Sequence, residues 1–332
     1  MLERAVVMLL EPIYEGDFLD CSYGFRPKRS AQQALGEIRG ALMEMGGGWV
    51  LDVDIRKYFD TIPHALLQQI LRKRVKDKVI VRLVGKWLKA GVWEDGVIHA
   101  NEEGTPQGGV ISPMLSNIYL HEVLDRWFHG QIVPGLKGRA HLVRFADDFV
   151  MILERREEAE ALLRLLPERF AQYGLTIHPE KTRLVDFRHP WTSRSKPGTF
   201  DFLGFTHHWG KTLRGGYAVI RKTAAKKLRK ALTAMGEWCK AHRHRPVSEQ
   251  HRQICAKLRG HYAYYGIAGN QRSLAVYQCQ VQRLWRYWLN RRSRKNGMSW
   301  KRFGEMIRQA FPLPPPRLVH GAPMAIQITL DL

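Results

Sequence analysis

The sequence predicts an α+β body followed by an all-α end, and three patterns carry that prediction. Apolar residues alternate with period two in WVLDVDI (49–55) and on both sides of the acid pair in HLVRFADDFVMIL (141–153), as half-buried strands require. Between and after these runs the apolar spacing becomes helical. The third pattern is charge. Residues 221–310 carry 22 Lys and Arg against three acids (Glu237, Glu249, Glu305), whereas residues 1–220 carry 30 against 27. Nearly all of the net charge of +22 therefore lies in one segment, the footprint of a polyanion-binding module attached to a near-neutral body. Three regions follow: a body over 1–220, a basic helical region over 221–310, and a Pro-rich tail over 311–332.

With 332 residues, 45% hydrophobic content and ten tryptophans, the chain is long and apolar enough for two or three domains with real cores. Cys21, Cys239, Cys255 and Cys279 form no CxxC pair, which argues against a disulfide framework and fits a reducing, cytoplasmic setting. Cys239, His242, His244, His251 and Cys255 cluster along the chain and would be the place for zinc, although their spacing follows no standard pattern. No apolar run reaches the length of a membrane span, and Glu3 and Glu11 around AVVMLL break the plan of a signal peptide.

Residues 1–11 read as the end of an apolar helix. A loop with Arg26, Lys28 and Arg29 leads to a helix capped by Ser30. The glycines at 46–48 precede the strand that bears Asp52 and Asp54 on one face. Pro63 suits the first position of the next helix, with Asp60 as its cap, and another helix covers 79–89. After NEEGTPQGGVISP, a long helix from Ser112–Pro113 buries a stripe of Leu115, Ile118, Tyr119, Val123, Leu124 and Trp127. A hairpin over 141–153 comes next, then a helix over about 155–173 interrupted by Pro167. GLTIHPEKTRLVDF reads as strand, turn, strand; TFDFLGFTHHW and GYAVI add strands. Basic helices cover 221–242, 248–265 and 270–292, and PLPPP (312–316) either ends ordered structure or ties the tail down as a stiff extended segment.

Asp147 and Asp148 sit at the predicted hairpin tip. Carboxylates on a stiff turn suit hard divalent cations, while taken alone an ordinary solvated Asp-Asp turn explains them equally well. Asp54 changes the balance. Acids on two strands far apart in sequence can meet on an antiparallel sheet, where together they would hold two divalent ions for phosphoryl transfer. Asp52 lies about 6.6 Å further down the strand and is read as structural.

VLDVDIRKYFD (50–60), GTPQGGVISPMLSNIYL (104–120), RFADD (144–148), HPEKT (178–182) and FLGF (202–205) resemble, in this order, the motifs of reverse transcriptases. SYGFRPKRSAQQAL (22–35) and LRGHYAYYGI (258–267) resemble the group II intron branch, the maturases. The resemblance runs from about residue 2 to residue 290, and it implies a right-hand polymerase with partial fingers and a palm over 1–220 and a thumb and maturase region over 221–310. It makes Asp54, Asp147 and Asp148 the catalytic metal-binding acids, with the Ile55 carbonyl as a further metal ligand. Two Mg²⁺ ions are implied, with Mn²⁺ as a substitute. Phe59 resembles the residue that excludes a ribose 2′-hydroxyl, Arg26 a triphosphate contact, Gln107 the residue beside the nucleotide, and Lys181 the acid that protonates pyrophosphate. Phe202, Leu203 and Gly204 resemble the primer grip.

The implied partners are group II intron RNA, an RNA template with a DNA primer, and dNTPs, in the bacterial-type cytoplasm or on the nucleoid as a ribonucleoprotein; a homodimer is compatible with the sequence. Arg221, Lys222, Lys226, Lys227, Arg259, Arg283 and Arg286 would follow RNA phosphates, and Tyr264 and Tyr265, with Tyr262, Trp285 and Trp288, would stack on bases. At least half of these aromatics are expected in the core. Phe145 stands where the family more often has tyrosine, and the sequence begins after segments that usually precede it. The endonuclease extension is not seen after residue 310. The expected activity is RNA-directed DNA synthesis with assistance to intron splicing; the alternatives are a polymerase-inactive splicing cofactor or a truncated remnant. A metal-dependent nuclease would explain the acids but not the nucleotide-pocket residues.

Overall fold

A computed structural model describes residues 1–89, 92–94, 97–99, 104, 109–192, 197–212, 215–293 and 297–321. The chain divides into two compact units, Met1–Gly198 and Thr199–Leu332. The division falls ahead of the charge step at residue 220, because the strands after residue 199 bond to the basic helices: Thr223 N donates to Asn270 Oδ1 at 2.7 Å, and Tyr264 Oη to Leu203 O at 2.9 Å.

The first unit opens with α1 (Leu2–Glu15), which buries Val6, Val7, Leu10 and Tyr14. Glu3 of this helix accepts from the backbone of Val110 at 2.8 Å. Helix α2 (Ala31–Glu44) begins where expected, with the Ser30 hydroxyl accepting from Gln33 N. Then come β1 (Trp49–Val53), the short α3 (Tyr58–Thr61), α4 (His64–Arg74), α5 (Lys78–Lys89) and a small hairpin of β2 (Val92–Glu94) and β3 (Val97–His99). Asp60 does not cap α4, which is entered through Pro63 with no side-chain cap. Pro63 itself stands one position before the first helical residue.

Helix α6 (Ser112–Leu120) continues through wider π-turns at His121–Asp125 and Phe128–Ile132. Its expected stripe, Leu115 to Trp127, is buried throughout. Strands β4 (Ala140–Phe145) and β5 (Asp148–Leu153), helix α7 (Arg156–Ala171) and β6 (Arg183–Asp186) complete the unit. Of the predicted strand over 174–178 only one bridge forms, Ile177 to Ile55.

The sheet is antiparallel, in the order β4-β5-β1-β6. Val53 pairs with Phe149 and Leu51 with Met151, so alternation turns Leu51, Val53, Phe149 and Met151 to one face. There they share a core with Leu162, Leu166 and Phe170 of α7. Helix α2 lies along β4.

The second unit pairs β7 (Phe200–Phe202), β8 (Phe205–Lys211) and β9 (Tyr217–Thr223) in sequence order, followed by α8 (Ala225–Ala241), α9 (Val247–Tyr265), α10 (Gln271–Leu289) and α11 (Trp300–Gln309). The helical run therefore starts at Ala225, and Arg221 and Lys222 belong to β9. Its core centres on fully buried Trp285, whose indole N–H donates to Gln250 at 3.0 Å. The proline run is tied down: Pro314 O accepts from Gln278 at 3.0 Å, and His251 Nε2 meets Pro312 O at 2.8 Å.

Candidate active site

Asp54, Asp147 and Asp148 lie at one end of the sheet. Asp54 immediately follows β1, and Asp148 opens β5; extending the Val53–Phe149 register by one residue sets them opposite each other on the same face. Asp147 lies in the two-residue loop between Phe145 and Asp148, after Ala146 at φ 58°. A positive φ at that first loop position is what the tight hairpin turns need, although an alanine there is strained. Asp147 is half-buried and Asp148 exposed. Burial first, and the nearby Asp54 carboxylate second, raise the Asp147 carboxyl above the ordinary aspartate range.

The HPEKT turn grips Asp54 from the β6 side. His178 N donates to Asp54 O at 2.8 Å, and the Lys181 ammonium reaches Asp54 Oδ2 at 2.8 Å. Arg56 N donates to Thr176 O at 2.8 Å. These backbone bonds flank Ile55, so the antiparallel pattern turns its own carbonyl to the other side, that of β5. Asp52 is paired with Arg183, Nη2 to Oδ2 at 3.1 Å, in keeping with a structural role.

The acid turn is held from beneath by a side chain that the sequence reading did not single out. Arg144, fully buried on β4, donates from Nε and Nη2 to Asp125 at 2.8 and 2.6 Å, to Ser22 Oγ at 2.8 Å, to Asn117 Oδ1 at 2.9 Å and to Ala146 O at 3.0 Å. Burial opposes the Asp125 charge, yet the Arg144 guanidinium outweighs it and holds that carboxyl below its usual range. Asn117 Nδ2 closes the network on Gly24 O at 2.7 Å. Gly24 presses on the turn so closely that a Cβ there would stand 2.3 Å from Ala146 N. The available signal was an arginine inside an apolar strand and an aspartate inside the apolar stripe of α6, each demanding a partner.

The other expected residues are distributed as follows. Phe59 is half-buried, edge-on to Tyr58 at 5.3 Å between centroids. Gln107 lies outside the described residues. Arg26, expected at the triphosphate, is instead buried: Nη2 pairs with Glu15 Oε2 at 2.9 Å and Nη1 donates to Leu19 O at 2.8 Å and Ser22 O at 3.0 Å. Protein acceptors take four of its five N–H groups, and the side chain is turned into the unit rather than held open for phosphate.

In the second unit, Leu203 (φ 48°) and Gly204 (φ 80°) form the two-residue turn between β7 and β8, with Phe202 paired to Phe205. Tyr264 and Tyr265 support this turn by packing on Phe205 at 6.0 and 5.2 Å. Tyr262 and Trp285 are core residues. Arg221 is buried, Arg286 stacks on Trp300 at 4.3 Å, and Lys222, Lys226, Lys227, Arg259 and Arg283 are exposed. The zinc grouping does not assemble: Cys255 meets His251 at 3.2 Å and Cys239 is buried in the core, and no cluster of three or more His, Cys, Asp or Glu forms a metal cage among the described residues.

An α+β unit with paired carboxylates at the end of an antiparallel sheet backed by helices has the architecture of a right-hand polymerase palm. The reverse transcriptase (RNA-dependent DNA polymerase) family matches residues 1–207, and the chain belongs to that family. Protein YkfC of Escherichia coli K12 is 38% identical over 193 residues, 49% of this chain and 50% of that protein. The group II intron-encoded protein LtrA of Lactococcus lactis is 37% identical over 180 residues, 51% of this chain and 30% of LtrA. The chain thus spans half or less of the length of these relatives. Apo telomerase from Candida tropicalis aligns over 92% of this chain and 56% of its own, at 10% identity and a TM-score of 0.49. Among the described residues no helix is long and apolar enough to cross a membrane.

Proposed function

We propose that the chain is an RNA-directed DNA polymerase of group II intron type, which joins a dNTP to a primer 3′-hydroxyl on an RNA template. The observation that carries this reading is the register of β1 and β5, which sets Asp54 opposite Asp148 and beside the turn that bears Asp147, with Lys181 on Asp54 at 2.8 Å. The donor set suits Mg²⁺, with Mn²⁺ as a substitute: hard carboxylate oxygens from Asp54, Asp147 and Asp148 and the Ile55 carbonyl, in a place where the carboxylates repel each other. When bound, such ions activate the attacking oxygen and neutralise charge on the leaving one. Asp54 directly follows β1 and Asp147 sits in the two-residue turn before β5, so the pairing of β1 with β5 and the tightness of that turn together limit their separation. Lys181, bonded to the same carboxylate, would release a proton to departing pyrophosphate. Phe59 would exclude a ribose 2′-hydroxyl, and the Phe202–Gly204 turn would bear on the primer.

In this reading the first unit supplies partial fingers and palm, and the basic helices of the second supply the thumb and the surface for intron RNA, assisting splicing. Exposed Lys226, Lys227, Arg259 and Arg283 support it by offering cations to phosphates. Likeness to the intron-encoded LtrA favours intron RNA as template, and a splicing cofactor without synthesis is the second reading that the same likeness supports. The test is primer extension on an RNA template with dNTPs and Mg²⁺, using the wild type, Asp147→Ala and Lys181→Ala. The expected result is a DNA ladder lost in Asp147→Ala and slowed in Lys181→Ala. Tight, salt-sensitive RNA binding with no extension under any of these conditions would refute the polymerase reading in favour of the cofactor.

A further inference from the structure

Away from the acids, helices α4 and α5 enclose an open groove of about 620 Å³. Its walls carry Arg72 and Lys76 on one side and Lys78, Arg82, Lys86 and Lys89 on the other, all exposed. None of these six forms an ion pair among the described residues, whereas their neighbours Lys73 and Arg74 are matched to Glu122 and Asp17 at 2.5 Å. The acid at the junction, Asp77, is engaged in capping α5, accepting from Val79 N at 2.6 Å. The near-neutral balance of residues 1–220 hides this concentration.

We infer that this groove binds the phosphodiester backbone of RNA, as a contact additional to the template-primer site and to the basic helices of the second unit. Lys78, Arg82 and Lys86 follow at i, i+4 and i+8, which sets a row about 12 Å long. One strand of a duplex presents three to four phosphates over that length at about 3.4 Å each. Facing them are Arg72, in the last turn of α4, and Lys76, in the linker that follows, whose ammonium donates to Arg72 O at 3.2 Å. A row of evenly repeated cations on α5, faced by Arg72 and Lys76, matches a ligand with evenly repeated anions. An acidic protein would bring irregular charge and would need apolar anchors, while the floor between the walls offers mainly Val75 and Val81, both buried. The inference rests on the polymerase reading only in its choice of RNA over DNA.

The test titrates a short fluorescent RNA duplex with the full chain, by anisotropy, over a range of salt concentrations. The comparison is between the wild type, Arg82→Lys, and the triple variant Lys78→Gln, Arg82→Gln, Lys86→Gln. All three side chains are exposed, so thermal unfolding and circular dichroism should match the wild type. The triple variant is expected to lower the slope of log affinity against log salt by about 2 to 3, at about 0.9 per phosphate contact, while Arg82→Lys keeps the slope. An unchanged slope in the folded triple variant would overturn the inference, as would displacement of the RNA by poly-glutamate equally from wild type and triple variant. Groove-dependent binding without primer extension would remove the polymerase reading and leave the groove; extension with an unchanged slope would remove the groove alone.

Discussion

Replacing Arg144 by Met should be among the most damaging single changes in the first unit. The side chain is fully buried and makes two bonds to an equally buried carboxylate, at 2.8 and 2.6 Å to Asp125. Methionine keeps much of the volume but leaves the Asp125 charge uncompensated in the core, a change that costs about 3–5 kcal/mol. For a unit of this size about 1 kcal/mol moves the melting temperature by roughly 2–4 °C, so the expected fall is on the order of 10 °C. The pH dependence supplies an independent check. In the wild type the Asp125 pKa is depressed, so its contribution is present above the unfolded aspartate value and is lost as pH falls through the folded value. Without Arg144, burial is opposed mainly by His121, 3.7 Å from the carboxylate, and the folded pKa rises above the unfolded one, so the penalty is full at neutral pH and fades as the carboxyl protonates in acid. Urea unfolding of wild type, Arg144→Met, Asp125→Leu and the double variant at neutral and acidic pH would measure both effects. A neutral-pH loss below about 1 kcal/mol, or a coupling between the two sites near zero, would refute the account of this pair as a mutually dependent buried ion pair.

Two further perturbations follow from the geometry. Gly24→Ala should displace the acid turn, because the added Cβ would stand 2.3 Å from the Ala146 backbone nitrogen, which cannot move aside like a side-chain end; a loss of about 1–3 kcal/mol in urea unfolding, together with weakened primer extension, is the expected outcome. His207, buried against Phe200 at 4.6 Å, has its pKa pushed down to about 3 by burial. The unfolded chain therefore binds the extra proton between pH 6.5 and 3, and the second unit should lose about 1.4 kcal/mol per pH unit across that window from this group, a slope that His207→Phe flattens in melting curves taken from pH 7.5 to 5.

Local chemistry was the legible part of this chain. The Ser30 cap, the stripe from Leu115 to Trp127 and the acid hairpin each follow from residues within one or two turns of each other, and the structure forms all three. What was not legible depends on distant partners. Arg26 had the form of a phosphate ligand until Glu15, Leu19 and Ser22 took its donors. Arg144 meets Asp125 only because β4 packs beside the π-widened helix, and nothing in either segment names the other. The 174–178 strand shrank to the single Ile55–Ile177 bridge because β1 ends at Val53 and offers no longer ladder. The basic helices start at Ala225 instead of 221 because Tyr217–Thr223 pairs along the whole of β8, a non-local bond pattern that outweighs local helical spacing.

The central position of β1 has a consequence for how the protein is made. Trp49 pairs with Leu153 on one side and Asp186 on the other, so neither neighbour exists until a hundred or more residues later in synthesis. At ordinary translation speeds the strand waits on the order of ten seconds with both edges open, the circumstance in which apolar strands recruit one another. Asp52 and Asp54 punctuate VLDVDI through that interval, and negative charge spaced within a β-prone run is a known guard against intermolecular pairing. Asp54, which faces the acid hairpin in the finished sheet, and Asp52, which there pairs with Arg183, thus share a second use while the strand waits.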